Sequence, residues 1–186
     1  STKTQLEATF NNFFSGIYLF DGDGNILMAN NAVASLFEYE SSEALMAEKH
    51  ILRIHEHTNV RFQILNERGE LIETSDLPSR IALRERKPAE LIFRLYSVQK
   101  NTSKWLWAKA SPLFDQQGAL SMVLTSLTDI TQQKIAEDKI RENEKRWQLL
   151  ANTIPSFVWA ADPAGEINFL NENWYRFTGL TREESL

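Results

Sequence analysis

Cysteine is absent from this 186-residue chain, and glycine and proline are scarce, with seven and five residues. Without cysteine the chain has no disulfide, no thiol nucleophile and no thiolate metal ligand. No uncharged apolar run approaches the roughly 18 residues that a membrane-spanning helix needs, and no signal-peptide pattern opens the chain. These absences predict a cytoplasmic location and no direct membrane contact.

A concentration of positive charge is also lacking. The net charge is −5, and the 20 lysine and arginine residues are scattered along the chain. Phosphate binding needs a concentrated basic surface, so nucleic acid is not expected as a partner. The hydrophobic and charged contents, 42% and 24%, are ordinary for a globular protein.

The most informative pattern is an internal repeat. Residues 16–31 contain two short apolar runs separated by Asp21-Gly-Asp-Gly24, a pattern typical of two strands joined by a tight turn. The same pattern returns around Asp162 and Gly165, 141 residues later. Six identities share that offset: Asp21 and Asp162, Gly24 and Gly165, Ile26 and Ile167, Asn30 and Asn171, Glu43 and Glu184, Leu45 and Leu186. We therefore predict a second, similar unit that is cut off within this chain.

The segments between the two hairpins predict an α+β fold. Helices are expected at residues 3–15, 31–39 and 75–86, and a small hairpin at residues 61–72. Alternating apolar residues predict three strands at 90–99, 104–114 and 119–127. With the first hairpin they make a five-stranded antiparallel sheet with helices on one face. Trp105 and Trp107 fall on the opposite face, under a phenylalanine stripe of the N-terminal helix or under long lysine side chains.

A long helix is predicted to follow the last strand. Residues 131–153 contain neither glycine nor proline, and apolar positions recur at alternating spacings of four and three. This heptad pattern is typical of a coiled-coil seam. Its members are Ala136, Ile140, Asn143, Trp147, Leu150 and Ile154. Pairing with a second chain is our first interpretation, and packing on the chain's own domain is the alternative.

Taken together, these elements resemble the PAS family of sensory domains. The resemblance rests on Asp21-Gly-Asp-Gly24, Asn30 and the helix after it, the segment from Ser111 to Gly118, and Asp129-Ile130-Thr131 before a charged helix. It implies a non-enzymatic sensory module that dimerises through its N-terminal and linker helices. It also implies that the linker helix passes a signal to a downstream domain, as in bacterial multi-PAS sensor histidine kinases. The expected boundaries are an N-terminal helix at 1–15, a PAS domain at 16–130, a linker helix at 131–154 and part of a second PAS domain at 155–186.

The alternative function is a sensor domain that binds a small molecule or cofactor, such as a haem, a flavin or a metabolite, and whose ligand is the input. Leu19, Met28, Phe93, Leu106 and Met122 are candidates to line a pocket between sheet and helices, although the same residues would also fill an ordinary core. No cofactor is predicted. The helix at 75–86 carries no histidine with which haem-binding relatives hold iron, and the lack of cysteine excludes cysteine-linked flavin chemistry. His50, His55 and His57 lie in an irregular segment and are expected to be exposed, without a metal.

Overall fold

The computed structural model describes residues 2–47 and 61–185, which fall into two compact units, Ser1–Gln132 and Gln133–Leu186. We refer to them as unit 1 and unit 2 and describe each by itself. In unit 1 the helices are α1 (Thr2–Asn11), α2 (Asn31–Leu36), α3 (Ser42–Ala47) and α4 (Pro78–Glu85). Its strands are β1 (Gly16–Asp21), β2 (Ile26–Ala29), β3 (Phe62–Leu65), β4 (Ala89–Ser97), β5 (Thr102–Phe114) and β6 (Leu120–Asp129).

The sheet of unit 1 is antiparallel, with the strand order β2-β1-β6-β5-β4-β3. The prediction of five strands is therefore wrong by one, because β3 pairs with β4 as a sixth strand. The small hairpin predicted at residues 61–72 is present in a short form. Leu65 bridges Leu71, the Ile72 amide donates to the Ile64 carbonyl at 2.9 Å, and the Asn66 amide donates to the Glu70 carbonyl at 2.8 Å. Strand β3 also pairs with β4, about 30 residues away along the chain, and no local pattern reveals that pairing.

One face of this sheet and the helices enclose the core. Helix α4 packs across β4, β5 and β6, and α2 packs on β1. The central strands alternate as predicted: Leu106, Ala108 and Ala110 are buried, and Trp105 and Trp107 lie on the other face. Helix α2 approaches β1 closely at Gly16, where an added Cβ would lie 2.8 Å from the Val33 Cα. Gly16 thus sets the spacing between the first strand and the first core helix.

Four turns share one hydrogen-bonding pattern. In each, the side chain of the first residue accepts hydrogen bonds from the second and fourth amides after it, as Asp21 Oδ1 does from Asp23 at 3.0 Å and Asn25 at 2.8 Å. The turns begin at Asp21, Asn66, Asp115 and Asp162, and each has a glycine of positive φ three residues later. Glycine is favoured there because it has no Cβ to clash. Hydrogen bonds from the Asn25 side chain and backbone lower the pKa of Asp21 below its usual value.

Unit 2 contains most of the long helix α5 (Thr131–Thr153), the paired strands β7 (Trp159–Ala161) and β8 (Ile167–Leu170), and helices α6 (Glu172–Thr178) and α7 (Arg182–Ser185). The predicted helix before Pro155 is thus present over 23 residues. Strand β8 lies 141 residues after β2, the offset of the sequence repeat. The left-handed residue after the following helix also recurs, as Glu38 (φ 59°) and Gly179 (φ 73°).

Candidate functional site

The first candidate site is the junction where β6 becomes helix α5, within unit 1. The Ile130 amide donates to the Trp105 carbonyl at 2.8 Å. The Trp105 amide in turn donates to the Thr131 hydroxyl oxygen, Oγ1, at 2.9 Å. Asp129 Oδ1 accepts from both the amide and the hydroxyl of Thr131, at 3.0 and 2.5 Å. We call this arrangement of residues 129–131 and Trp105 the exit junction.

In the exit junction, the Thr131 side chain continues the hydrogen bonding between β6 and β5 beyond the end of β6. Strand β6 pairs with β5 up to Asp129, opposite Leu106. The next residue of β5 is Trp105. Its carbonyl accepts from the Ile130 amide, and its amide donates to the Thr131 hydroxyl oxygen. Because Ile130 is buried, the chain is anchored where the helix begins. The first residue of α5 is therefore attached to a central strand.

The second candidate site lies at the other end of α5, within unit 2. The Asn171 side chain is fully buried, and its Nδ2 donates to the carbonyl oxygens of Ala151 at 2.8 Å and Ser156 at 2.9 Å. Its Oδ1 accepts from the Val158 amide at 3.1 Å. In return, Asn152 Oδ1 accepts from the Glu172 amide, the first of α6, at 2.9 Å. Asn152 and Asn171 thus cap the facing ends of α5 and α6, and we call them the amide pair of unit 2.

Unit 1 has the same amide pair at the end of α1. Buried Asn30 donates from Nδ2 to the carbonyl oxygens of Phe10 at 3.2 Å and Ser15 at 3.0 Å, and accepts at Oδ1 from the Ile17 amide at 2.9 Å. Asn11 Oδ1 accepts from the Asn31 amide at 3.2 Å. Every one of these residues lies 141 positions before its counterpart in unit 2. Helix α1 is therefore the structural equivalent of the end of α5.

Sequence reasoning missed this equivalence, although a signal was present. It used Asn30 as one of the repeated residues, and the structure shows in addition that Asn30 Oδ1 accepts from the Val33 amide at 3.0 Å. It did not follow the repeat upstream, where Asn11 matches Asn152 and Ser15 matches Ser156 at the same offset. Extending the offset would have identified both amide pairs.

The predicted seam of α5 is largely exposed. Ile140, Leu150 and Ile154 are 60%, 56% and 46% exposed. The Trp147 ring packs edge to face on Phe169 of β8, with centroids 4.3 Å apart, so one seam position contacts its own unit. Ala136 and Asn143 are exposed as well.

The five predicted pocket residues do not share one face of the sheet. Phe93 and Leu106 are cross-strand partners buried on the helix side. Leu19 and Met28 are partners on the other side, and Met122 pairs with Asp21 on that same side. These side chains therefore do not line a single cavity. Leu19 and Met28 are as apolar as their buried neighbours, so residue type alone does not show on which face of the sheet a residue lies.

A cluster of hydroxyl groups lies inside unit 1 instead. Tyr18 and Thr125 are cross-strand partners on β1 and β6, and both are buried together with Ser79 at the start of α4. Burial raises the pKa of the Tyr18 hydroxyl, and the Thr125 and Ser79 hydroxyls oppose the rise. Among the described residues, Thr125 Oγ1 has no hydrogen-bond partner of good geometry.

Cationic side chains lie over the tryptophans of the outer face. Lys109 Nζ is 3.6 Å from the centre of the Trp107 ring, and the Arg94 guanidinium is 5.8 Å from that of Trp105. Helix α1 ends at Asn11 rather than near residue 15, so Phe13 and Phe14 lie beyond it and are exposed. The helical stripe predicted from these phenylalanines is therefore wrong in its second half.

No group of three or more potential metal ligands occurs in the described residues. His50, His55 and His57 lie outside them. Within residues 2–47 and 61–185, no helix is long and apolar enough to cross a membrane.

Comparison with known proteins agrees with the order of elements. The family model of the PAS fold matches residues 4–130 and again residues 145–186. The chain therefore belongs to the PAS family, and the antiparallel sheet with its covering helices is the fold of that family.

The sequence identity to individual relatives is low. The chain is 30% identical over 92 residues to the peroxide stress-activated histidine kinase mak1 of Schizosaccharomyces pombe, a match covering 46% of this chain and 6% of that protein. The structure of an RNA-binding light-oxygen-voltage receptor is similar with a TM-score of 0.54 at 16% identity, covering 77% of this chain and 37% of the receptor. A PAS domain from Colwellia psychrerythraea gives a TM-score of 0.46 at 17% identity, covering 71% of this chain and 99% of that domain.

Proposed function

We propose that the chain is a non-enzymatic sensory and dimerisation module that passes a signal through helix α5 to a downstream output domain. The exit junction carries this proposal. Its hydrogen bonds attach the first residue of α5 to the backbone of Trp105, on strand β5 in the middle of the sheet. A change in the twist or spacing of the sheet therefore moves the start of the helix.

The proposed input is a shift between two packings of the sheet and its helices. A ligand or a partner shifts such an equilibrium only by the difference between its affinities for the two states. The helix then carries the change as a small rotation or a shift in register. The proposed domains are an N-terminal segment (1–15) that contains α1, the sensor (16–130), a linker segment (131–154) that contains α5, and a second PAS unit beginning within 155–186.

Dimerisation is proposed to occur along the seam of α5. A single 23-residue helix with polar faces is marginal in water, and exposed apolar residues at heptad spacing favour a partner helix. Ile140 lies in the seam, whereas Ile135 lies outside it, and the two are similarly exposed, at 60% and 54%. They form a matched pair for a test.

Light scattering of the full chain separates the alternatives. Ile140→Glu is expected to reduce the mass from that of a dimer to that of a monomer, and Ile135→Glu is expected to leave the dimer intact. A monomeric parent chain, or equal masses for both variants, would contradict dimerisation through the seam.

The proposed output domain is a cytoplasmic histidine kinase, as in bacterial multi-PAS sensors. Support comes from the relative named as a histidine kinase and from the two PAS matches in series. The coding sequence after Leu186 tests this. A helix with a phosphoacceptor histidine followed by an ATP-binding domain is expected. A different catalytic domain would contradict the proposal of a histidine kinase.

Small-molecule sensing is the second candidate, and the buried hydroxyl cluster favours it. Tyr18, Ser79 and Thr125 place three buried hydroxyl groups close together inside unit 1, and buried polar groups are normally hydrogen-bonded. A bound ligand with a polar group would give Thr125 Oγ1 a hydrogen bond of better geometry than its neighbours among the described residues offer. Native mass spectrometry detects a colourless ligand, and absorbance detects haem or flavin. A purified chain of bare polypeptide mass would argue for a filled core.

A further inference from the structure

The buried asparagines Asn30 and Asn171 differ in whether they cap the helix that follows them, but they share their other hydrogen bonds. Asn30 caps α2 through its bond to the Val33 amide, but Asn171 makes no side-chain cap at the start of α6. Both donate two hydrogen bonds, one to the last turn of the preceding helix and one to the loop after it. Both also accept from a backbone amide next to or within the first strand after the helix, namely Ile17 in β1 and Val158 directly before β7. The shared task is therefore to connect the preceding helix to that strand.

Asparagine is suited to this task by its donor and acceptor inventory. The side chain must offer two N–H donors to carbonyl groups and one acceptor to an amide from a single planar group. Aspartate keeps the acceptor and loses both donors. The Ala151 carbonyl is one of the last four of α5, which have no partner within the helix, so Asn171 satisfies a group that the helix leaves open.

Asn152 restricts this connection to one rotation of α5 about its own axis. Asn152 projects from the last turn of α5 and accepts from the Glu172 amide, one of the first four amides of α6 that lack a helical partner. Consecutive residues of an α-helix point about 100° apart around its axis. Rotating α5 by one residue would therefore carry the Asn152 side chain away from α6 and turn the Ala151 carbonyl away from Asn171. Two bonds, one from each side, fix a single rotational setting.

We infer that Asn152 and Asn171 are positioning residues within unit 2 that fix the axial rotation of the end of α5 relative to β7 and α6, so that rotation of the helix is transmitted to those two elements. This rests on the proposed function in one respect, namely that α5 is the element that carries the signal. It extends that function by assigning the receiving contacts in unit 2. The matching pair, Asn11 and Asn30, does the same for α1 and unit 1.

Hydrogen exchange in the full chain tests the inference. Asn171→Asp keeps the acceptor for the Val158 amide and removes both donors. The protection of the amides of residues 148–153 is expected to fall at least tenfold, while the amides of β7 and β8 keep theirs. Gln148→Glu is the control, because it adds the same charge to an exposed amide of the same helix. Equal loss throughout unit 2, or no loss at all, would overturn the inference.

Asn152→Ala keeps the test decisive if Asn171→Asp does not fold. Alanine has a higher helix propensity than asparagine, so propensity alone predicts a better protected helix end. The amide pair predicts the opposite, namely faster exchange at the Glu172 amide and in the last turn of α5. Unchanged or slower exchange there would reject the positioning role.

A distance measurement reads the rotation itself. Because the chain has no cysteine, Leu149→Cys on α5 and Arg176→Cys on α6 create the only two sites for nitroxide labels, and both positions are exposed. When the labelled chain is diluted with an excess of unlabelled chain, so that distances between the chains of a dimer are not recorded, the parent pair is expected to give one narrow distance distribution, which Asn152→Ala broadens or shifts. An unchanged distribution would contradict the inference. Neither measurement requires a dimer or a kinase, so failure of the proposed function would leave its result unaffected.

Discussion

The Thr131 hydroxyl joins α5 to the sheet, and replacing it with a methyl group tests that connection. Thr131→Val keeps the branched shape of the side chain but removes the acceptor for the Trp105 amide and the donor to Asp129. The resulting change in the free energy of unfolding therefore reports the two hydrogen bonds rather than lost packing.

The expected magnitude follows from the surroundings of each bond. The Trp105 amide sits in a half-buried strand, and leaving such a donor unpaired costs about 1–3 kcal/mol. The bond to Asp129 is exposed to solvent, and a bond of that kind contributes roughly 0.5–1 kcal/mol. Together they give a loss of about 2 kcal/mol, which lowers the melting temperature of a unit of this size by roughly 6–8 °C.

The assay combines thermal denaturation, followed by circular dichroism, with exchange of the Trp105 amide. Thr131→Ser is the control, because serine keeps the oxygen that both bonds use. We expect the serine variant to melt close to the parent, and the valine variant to melt lower with faster exchange at Trp105. If the two variants melt together, or if the valine variant leaves the Trp105 amide protected, the account of the exit junction is wrong.

Three further predictions concern unit 1. Gly16→Ala should cost about 1–3 kcal/mol in urea unfolding, because the new Cβ overlaps Val33, whereas Gly22→Ala, whose Cβ would meet nothing within 4 Å, should be nearly neutral. Arg86→Gly should raise the unfolding free energy by about 0.5–1 kcal/mol, because Arg86 holds a left-handed φ of 56° after α4; an unchanged urea midpoint would contradict this. The pKa of Asp21 is lowered on folding, so its contribution to stability is complete above the unfolded pKa and is lost as the pH falls through the folded one. Stability should therefore fall less steeply in Asp21→Asn than in the parent below about pH 4, and identical acid unfolding curves would contradict this.

The sequence predicted local structure better than contacts between distant segments. The turns at Asp21 and Asp162 were predictable because glycine, a carboxylate and flanking apolar runs lie within a few residues. The pairing of β3 with β4 was not predicted because β4 lies far along the chain. Local alternation fixes which residues share a face, but it does not fix which strand lies beside which.

The candidate sites show the same division. The heptad seam and the Asp129-Ile130-Thr131 motif were visible as patterns, but the Trp105 backbone that receives Thr131 was not. The amide pairs escaped notice because the helices before the two hairpins differ in composition. Phe10 in one unit matches Ala151 in the other. Both contribute only a backbone carbonyl, which does not require a particular type of side chain.

The four matching turns have a practical consequence for labelling. Each loop is closed by the side chain of its first residue and by a left-handed glycine, and the side chains at the two middle positions face solvent. A dye attached to a cysteine at one of those positions would be the only thiol adduct on the molecule and would stand clear of the strands. Hairpin tips in both units can therefore carry probes without disturbing the pairing of the strands.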